Sequence, residues 1–263
     1  MITFSVVTIT FNAASCLPRT LESVLSQTYP HVEHLIVDGK STDNTVKLAE
    51  DYARRNARAA NGHVVTVTSE PDGGLYDAMN KGLARAAGDY VVFLNAGDCF
   101  PDAAVLQTIV DGLKLNEMPA AELPAVIYGD TDIIDSEGNY LYPRRLRPPK
   151  RLNWRSFRWG MLVCHQAFYA RTDIARSNTY NLDYRFSADV DWCIRVMKEA
   201  ARRSLPIADA HATLANYTEE GQTTKHHRES LKERFHVMAS HYGLLLTLVM
   251  HCWFAVRSAM KIK

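Results

Sequence analysis

A carboxylate that follows a short apolar run is the strongest chemical signal in this chain. Residues 90–94 predict a buried strand, and Asn95, Gly97 and Asp98 follow it directly. Open α/β sheets bind ligands at the carboxyl ends of their strands. An oxygen ligand at that place suits a hard cation such as Mg²⁺ or Mn²⁺, which can carry a nucleoside diphosphate. Taken alone, the pattern equally fits a plain strand-to-turn junction in which Asp98 caps a helix before Pro101.

Three other predicted strands also end in polar residues. They cover residues 2–9, 33–37 and 63–68, and they lead into Thr10, Asp38 and the segment 70–72. Apolar residues at helical spacing predict helices between these strands, and such alternation forms βαβ units and a mostly parallel sheet. Beyond residue 120 we expect strands at 125–134 and 140–142 and a helix at 189–200. The parallel pattern is not expected to resume there.

Residues 70–98 contain three motifs whose order and spacing resemble those of the family 2 glycosyltransferases of the GT-A fold. The motifs are Glu-Pro-Asp-Gly-Gly at 70–74, Tyr-Asp-Ala-Met-Asn-Lys-Gly at 76–82 and Phe-Leu-Asn-Ala-Gly-Asp at 93–98. They occur together in bacterial enzymes that build surface polysaccharides, and the chain is most similar to those of the colanic-acid type. The resemblance is strong to about residue 100, moderate to about residue 225 and absent beyond.

The resemblance implies an α/β protein of the GT-A class. Its Rossmann-like, mostly parallel central sheet would carry helices on both faces, with a helical appendage at the C-terminus. Residues 1–225 would form the glycosyltransferase domain, with a nucleotide-sugar half at 1–118 and an acceptor half at 119–225. Residues 226–263 would form a C-terminal amphipathic helix that can associate with a membrane.

The resemblance also implies donor-binding roles for polar residues near the strand ends. The residues so assigned are Thr10, Asp38, Asp72, Asn80, Asn95 and Asp98. Asp38 would accept a hydrogen bond from a ring N–H of uracil or guanine, although Asp before Gly is also common in turns. Asp72 would lie near the nucleoside or sugar, or else only form a Pro-Asp-Gly turn. Asn80 is a poor helix former inside a predicted helix, which indicates a polar contact with ligand or with neighbouring backbone.

The metal assignment also comes from the resemblance. Most family members carry Asp where this chain has Asn95, so the site has one charge fewer. Asp98 would then be the principal protein ligand of Mg²⁺ or Mn²⁺, with diphosphate oxygens and water completing an octahedron. The cation would neutralise charge on the departing nucleoside diphosphate.

A pair of carboxylates at the start of a predicted helix supplies the candidate base. Family members usually read Glu-Asp-x-Asp, and here Ala188 replaces the Glu. The resemblance assigns the general base to Asp189 and a supporting role at the acceptor to Asp191. Both could instead only complement the helix dipole. His165 and Gln166 match the His-Gln of the subfamily and would bind acceptor hydroxyls, unless they are structural.

Two segments point to a membrane surface. Residues 143–158 hold seven Arg or Lys and no acidic residue, interleaved with Trp and Phe, which suits an anionic membrane or a diphosphate-linked lipid acceptor as well as a solvated face. Residues 235–256 contain no Asp, Glu, Lys or Arg, and an apolar stripe runs at helical spacing from Leu231 to Met260. We rank an interfacial helix first, packing on the catalytic domain second and a membrane span third.

Between them lies the segment 221–227, which could be a mobile loop. Its Lys225, His226 and His227 could close over a diphosphate. We favour a solvated loop.

Composition excludes several classes of protein. A net charge of +1 gives no case for nucleic-acid binding, and 47% apolar residues can supply one large core. The five cysteines are scattered, without a Cys-x-x-Cys pair, which argues against structural zinc and disulfides and favours a reducing cytoplasm. The N-terminus begins with a strand and does not look like a signal peptide. We therefore expect a cytoplasmic protein at the inner face of the cell membrane.

The resemblance implies an inverting, metal-dependent glycosyltransferase, which is the first interpretation of this sequence. It would transfer sugar from a UDP- or GDP-sugar to a glycan or lipid-linked acceptor in polysaccharide biosynthesis. A sugar nucleotidyltransferase is the second candidate, although residues 10–15 lack the Gly-rich basic loop of that class. A non-catalytic sugar- or lipid-binding protein is the third.

Overall fold

The computed structural model describes residues 1–219 and 227–259. One eight-stranded sheet runs through this part of the chain, in the order β3-β2-β1-β4-β7-β5-β6, with β8 beside β5. The strands are β1 (Phe4–Thr10), β2 (Val32–Asp38), β3 (Val64–Ser69), β4 (Tyr90–Phe93), β5 (Val126–Ile134), β6 (Tyr140–Pro143), β7 (Phe168–Arg171) and β8 (Ile207–Thr218). The α-helices are α1 (Leu17–Leu25), α2 (Thr45–Ala59), α3 (Leu75–Arg85), α4 (Val105–Gly112), α5 (Thr172–Arg176), α6 (Ala188–Arg202), α7 (His227–Tyr242) and α8 (Leu244–Ala259).

The N-terminal half of the sheet is parallel, as predicted. Strand β1 lies between β2 and β4, and β2 also pairs with β3, all in parallel register. This register sets Thr10 opposite Asp38 and Asp38 opposite Ser69. The polar residues at the ends of these strands therefore share one edge of the sheet.

Helices cover both faces of this sheet, as predicted. Side chains alternate along β2, so Ile36 packs on one face with residues of α1 and α2. Leu35 and Val37 point to the other face, where they join the larger core with Met79 and Leu83 of α3. The strand is buried on both faces, which explains its apolar run Leu35–Val37.

The second half of the sheet corrects one expectation. Strand β7 is antiparallel to both β4 and β5, but β8 runs parallel to β5 from residue 126 to residue 134. A parallel pair therefore does form beyond residue 120. The sequence concealed β8 because the strand is interrupted: its register with β5 shifts twice, and His211 has a left-handed backbone with φ +52°.

The C-terminal segment is two helices, so the single helix predicted from its apolar stripe is wrong. Gly243 ends α7 with φ +85°, a conformation that favours glycine, and its N–H donates to the carbonyl of Ala239 at 2.9 Å. Val237 and Met238 of α7 are buried against the rest of the protein. No helix in the described ranges combines the length and the apolar character needed to cross a bilayer. Met260, Lys261 and Lys263 lie outside those ranges.

Candidate active site

The end of β2 forms the centre of the predicted donor edge. Asp38 is fully buried, and its carboxylate accepts hydrogen bonds from the backbone N–H of Ser41 at 2.9 Å, from the Ser41 hydroxyl and from the Ser69 hydroxyl at 2.7 Å. Thr10 lies beside it, and its hydroxyl is buried without a partner in the described part of the chain. The structure thus brings these two residues together, while their contact with a nucleoside stays a prediction.

An exposed aromatic ring at this edge was missed by sequence reasoning. Phe11 directly follows β1 and is 63% exposed, although it is an apolar residue beside a buried strand. A side chain at Gly39 would meet the carboxylate of Asp72 and the Phe11 ring, so these two residues approach each other at this glycine. Asp72 also accepts from the N–H of Gly74 at 2.8 Å, as the turn interpretation predicts. The only sequence signal for Phe11 is its place after the first strand.

Asn80 makes the backbone contact that was one of its two expected roles. Its amide nitrogen donates to the carbonyl of Tyr180 at 3.0 Å, and its amide oxygen accepts from the N–H of the same residue at 2.7 Å. This pair of bonds ties α3 to the segment that leads into α6. The donor-binding role of Asn80 stays a prediction.

The loop that follows β4 is held rigidly around Gly97. This glycine has φ +102°, and its N–H donates to the Thr20 hydroxyl at 2.9 Å. The same hydroxyl donates to the carbonyl of Asp98 at 2.7 Å. A single threonine of α1 therefore fixes the backbone that presents Asp98.

Asp98 itself is buried, and two distant segments hydrogen-bond to it. The amide nitrogen of Gln166 donates to one carboxylate oxygen at 2.7 Å, and the N–H of Thr218 donates to the other at 3.1 Å. Burial raises the pKa of Asp98 to about 6, although these two donors and the positive charges of His165 and Arg19 oppose the increase. Gln166, predicted to bind the acceptor, therefore contacts the predicted metal ligand.

His165 joins the β4 loop to the predicted base. Its Nδ1 lies 3.4 Å from Oδ2 of Asp189, and its Nε2 lies 3.4 Å from the amide nitrogen of Asn95. With a proton on Nδ1 the ring donates to the carboxylate, and its other nitrogen faces the amide of Asn95. Three residues that are far apart in sequence thus form one row.

Asp189 lies at the N-terminal end of α6, and Tyr76 donates its hydroxyl to the other carboxylate oxygen at 3.2 Å. Burial raises the pKa of Asp189, but the hydrogen bond and charge of His165, the charge of Arg234 and the N–H of Val190 outweigh burial and leave it below its ordinary value. The carboxylate is therefore ionised at neutral pH, as a proton acceptor must be.

Asp191 faces a different partner set. One of its oxygens accepts from Nε of Arg195 at 2.7 Å, and the other lies 2.8 Å from Nε2 of His241 in α7. Its side chain is 7% exposed. Asp191 thus ties α6 to α7 in this structure, and its predicted role at the acceptor stays untested.

A carboxylate of α7 also holds the start of α6, which sequence reasoning missed. Glu233 accepts hydrogen bonds from the backbone N–H groups of Arg185, Phe186 and Ser187 at 2.8, 2.6 and 3.0 Å. These residues directly precede the helix that carries Asp189. Glu233 therefore acts as a cap supplied from another helix, and a negative charge there also suits the helix dipole. No local pattern around Glu233 signals this contact.

The oxygen atoms of the β4 loop fit a hard cation that takes most of its ligands from substrate. The amide oxygen of Asn95 is buried and has no hydrogen-bond partner among the described residues, and the Asp98 carboxylate follows three positions later. No cluster of three or more His, Cys, Asp or Glu within those residues could hold a metal alone. Mg²⁺ is commonly bound by one or two carboxylates together with substrate phosphates and water, and this donor set matches that mode.

The remaining predicted residues cannot be placed. Lys225 and His226 lie outside the described residues, as does the side chain of His227. The solvated loop favoured above and the alternative, closure over a diphosphate, both stay predictions.

Solved structures with the same fold include two proteins with a bound nucleotide sugar. The structure of residues 1–349 of TarS from S. aureus in complex with UDP-GlcNAc has a TM-score of 0.70 at 17% identity, covering 100% of this chain and 76% of that one. The mannosyltransferase PcManGT from Pyrobaculum calidifontis in complex with GDP-Man and Mn²⁺ has a TM-score of 0.59 at 17% identity, covering 98% and 75%. At this identity the likeness concerns the fold.

Sequence comparison goes further than the fold. The model of the family described as Glycosyl transferase family 2 matches residues 5–176. A "PGL/p-HBAD biosynthesis glycosyltransferase" of Mycobacterium bovis (strain BCG / Pasteur 1173P2) is 32% identical over 250 residues, which cover 94% of this chain and 89% of that protein. Of the three function classes that the sequence left open, glycosyl transfer is the one that this family performs. The chain is a member of glycosyl transferase family 2 and is a glycosyltransferase.

Proposed function

We propose that the protein is an inverting, metal-dependent glycosyltransferase that uses a nucleoside-diphosphate sugar. The observation that carries this proposal is the row Asn95–His165–Asp189, which sets an ionised carboxylate beside the loop of Asp98. The proposed base, Asp189, stands at one end of this row. Asn95 stands at the other end, in the loop where the diphosphate would leave, and this arrangement fits a single in-line displacement. Structural neighbours hold UDP-GlcNAc and GDP-Man, which supports a UDP- or GDP-sugar as donor.

Each residue then has a defined task. Asp189 accepts the proton of the acceptor hydroxyl, and Tyr76 and His165 orient its carboxylate. The acceptor oxygen attacks the anomeric carbon as the bond to the diphosphate breaks, so the configuration inverts. Phe11 and Asp38 stand at the edge where the base of the donor would lie.

The metal part of the proposal rests on the same loop. Asp98 and Asn95 Oδ1 would hold Mg²⁺ or Mn²⁺, and the bound cation would supply charge neutralisation for the departing diphosphate. Gln166 and Thr218 each donate a hydrogen bond to one oxygen of the Asp98 carboxylate, and these bonds would hold its orientation before a cation binds. A neighbour solved with Mn²⁺ supports this assignment.

The acceptor is proposed to be a glycan or lipid-linked glycan in bacterial polysaccharide biosynthesis, used at the cytoplasmic face of the membrane. The name of the mycobacterial relative, "PGL/p-HBAD biosynthesis glycosyltransferase", supports a biosynthetic role. His165 contacts the proposed base and Gln166 contacts Asp98, which supports an acceptor site beside these two residues.

Two measurements on the full chain test this function. Thermal unfolding with a panel of nucleotide sugars identifies the donor, because a ligand at about 100 times its dissociation constant adds about 2.7 kcal/mol. Transfer with that donor is then followed by NMR, with and without chelator. We expect inversion of the anomeric configuration and loss of transfer in chelator. Retention of configuration would reject the single displacement, and undiminished transfer in chelator would reject the metal.

A further inference from the structure

Helix α8 presents an apolar face to solvent. From residue 244 to residue 256 every exposed side chain of this helix is apolar, and Leu245 at 79% and Val249 at 57% are the most exposed of those beyond its first residue. The members of this face are Leu244, Leu245, Leu246, Leu248, Val249, Cys252, Trp253, Ala255 and Val256. Monomeric soluble proteins rarely leave such a contiguous apolar face uncovered.

Between residues 244 and 256 the polar side chains of α8, those of Thr247 and His251, lie on its inner side. Thr247 is fully buried and donates its hydroxyl to the carbonyl of Gly243 at 2.8 Å, and Met250 is also buried. His251 packs its ring 5.0 Å from that of Phe235 in α7. The protein therefore covers the more polar side of the helix and leaves the apolar side outside, which is the reverse of an ordinary surface helix.

The neighbouring surface is positively charged. The turn formed by Trp154–Trp159 packs against α8, and it holds Arg155 and Arg158 together with Trp159, whose ring is 44% exposed. Trp154 stacks on Tyr242, the residue before Gly243, with ring centroids 5.9 Å apart. The chain has no Asp or Glu between Glu137 and Asp173.

Not all of the basic segment is available to a partner. Arg144 donates to the backbone carbonyls of residues 146, 161 and 162, and Arg147 forms an ion pair with Asp130 at 3.4 Å. In the turn that packs against α8, Arg155 is exposed and Arg158 is half-buried. The charge of this surface is therefore local to the apolar helix.

We propose that α8 and the turn 154–159 form one surface that docks on an anionic phospholipid bilayer, with α8 lying in the plane of the interface. The described part of this helix has 16 residues and is about 24 Å long, shorter than the roughly 30 Å core of a bilayer, which favours a helix that lies on the membrane. The apolar face enters the acyl boundary, Trp159 and Trp253 lie at headgroup level, and Arg155 and Arg158 meet the anionic headgroups.

Charge favours lipid over a second copy of the chain. A second copy would bring the same arginines against each other, and the segment from residue 234 onward has no acidic residue to offset them. An anionic bilayer supplies both an apolar layer and negative charge. This proposal extends the membrane location given above, and it is tested without donor or acceptor, so its failure would leave the transfer reaction untouched.

The test is flotation of the full chain with phosphatidylcholine vesicles, prepared with and without phosphatidylglycerol, at low and high salt. We expect binding to the anionic vesicles that weakens with salt. Leu245→Ser combined with Val249→Ser should weaken binding by about tenfold or more, because both side chains leave water on docking. Arg155→Gln should weaken it about fivefold.

Matched controls exist at equally exposed positions away from α8. Val64→Ser on β3, where Val64 is 63% exposed, and Arg54→Gln on α2, where the side chain is 58% exposed, should leave binding unchanged. The proposal is overturned if the anionic vesicles do not bind the protein. It is also overturned if the α8 variants bind like the controls, or if the chain is a dimer whose dissociation accounts for the effect of the α8 variants.

Discussion

At the scale of single residues, two carboxylates of one helix acquire different roles because their surroundings differ. Asp189 lies between Tyr76 and His165, beside the loop of Asp98. Asp191 is two positions later, and residues two apart on a helix do not share a face, so it meets Arg195 and His241 instead. Sequence spacing separates the two side chains, but only the packing of α6 shows which one reaches the site.

Asp189→Asn should therefore remove transfer without removing the donor site. The substitution keeps the shape of the side chain but takes away the proton acceptor, so turnover should fall by about 10² to 10⁴. Donor affinity should change little, because Asp38, Asp72 and Asp98 belong to other segments. Turnover and donor binding are measured on the same acceptor.

Asp191→Asn is the matched control. It should keep most of the turnover and instead lower the melting temperature, because His241 and Arg195 lose a charged partner. If Asp191→Asn is the more damaging to turnover at unchanged donor affinity, the roles assigned to the two carboxylates are reversed.

At the scale of elements, α7 holds the helix that carries Asp189, the proposed base. It supplies Glu233 to the backbone before α6 and His241 to Asp191, so two contacts fix α6. The Ser187 hydroxyl adds a third contact, to the carbonyl of Ser230 at 3.2 Å. The position of Asp189 is therefore set by a helix that lies about 40 residues further along the chain.

Glu233→Ala should lower both stability and turnover. Three backbone N–H groups lose a charged acceptor, which should cost about 2–3 kcal/mol of the free energy of unfolding. A shift of Asp189 by about 1 Å is enough to lower turnover by about 10², while donor binding is retained. Urea unfolding and the separation of kcat from the KM of the donor measure the two effects.

Glu229→Ala provides the control, because Glu229 is an exposed acid on the same helix. It should leave stability and kcat near those of the parent. Glu233→Gln, which keeps one acceptor oxygen, should fall between the parent and Glu233→Ala. A Glu233→Ala variant with normal kcat would show that α7 does not position the base.

A buried histidine of β2 should make the fold sensitive to acid. His34 is fully buried between the hydroxyls of Thr8 at 2.9 Å and Tyr52 at 2.8 Å, and burial lowers its pKa to about 3. Between about pH 6.5 and pH 3 the unfolded chain binds a proton at this residue and the folded chain does not. Stability therefore falls as the pH falls through this window, by up to about 1.4 kcal/mol per pH unit.

The parent should accordingly lose about 2 kcal/mol more than His34→Gln between pH 7 and pH 5. Urea unfolding at the two pH values measures this difference. His211→Gln, at a residue whose side chain is 83% exposed, should behave like the parent. Equal acid sensitivity in all three proteins would mean that His34 does not remain neutral in the folded state.

The elements that the sequence predicted well are those with local causes. Strands β1 to β4 followed from short apolar runs that end in polar residues, and the structure places their ends at one edge. Strand β8 was missed because a bulge interrupts its pattern, and the break at Gly243 was missed because apolar spacing continues across it. The contacts of Gln166 with Asp98 and of Glu233 with α6 join distant segments, so no local pattern carries them.

At the scale of the whole molecule, the two C-terminal helices have separate tasks. Helix α7 is packed on the catalytic domain, and α8 turns its apolar side outward after Gly243. If α8 lies on a bilayer, α7 joins the bound surface to the helix that carries Asp189. The active site would then stand at a fixed place relative to a membrane, which suits an acceptor held by a lipid.

Two truncations separate these tasks. A chain cut after Gly243 loses only α8, so it should lose vesicle binding, keep transfer to a soluble acceptor and unfold within a few degrees of the parent.

A chain cut after Arg234 also loses the buried Val237 and Met238 and leaves Asp191 without His241. Its free energy of unfolding should drop further by at least the value of one buried Met, about 2–5 kcal/mol, and donor hydrolysis should fall with it. Thermal unfolding, flotation and donor hydrolysis are measured on both chains. If the two chains unfold at the same temperature and hydrolyse donor equally, α7 is an appendage like α8, and the position of Asp189 must be fixed by α6 and its sheet alone.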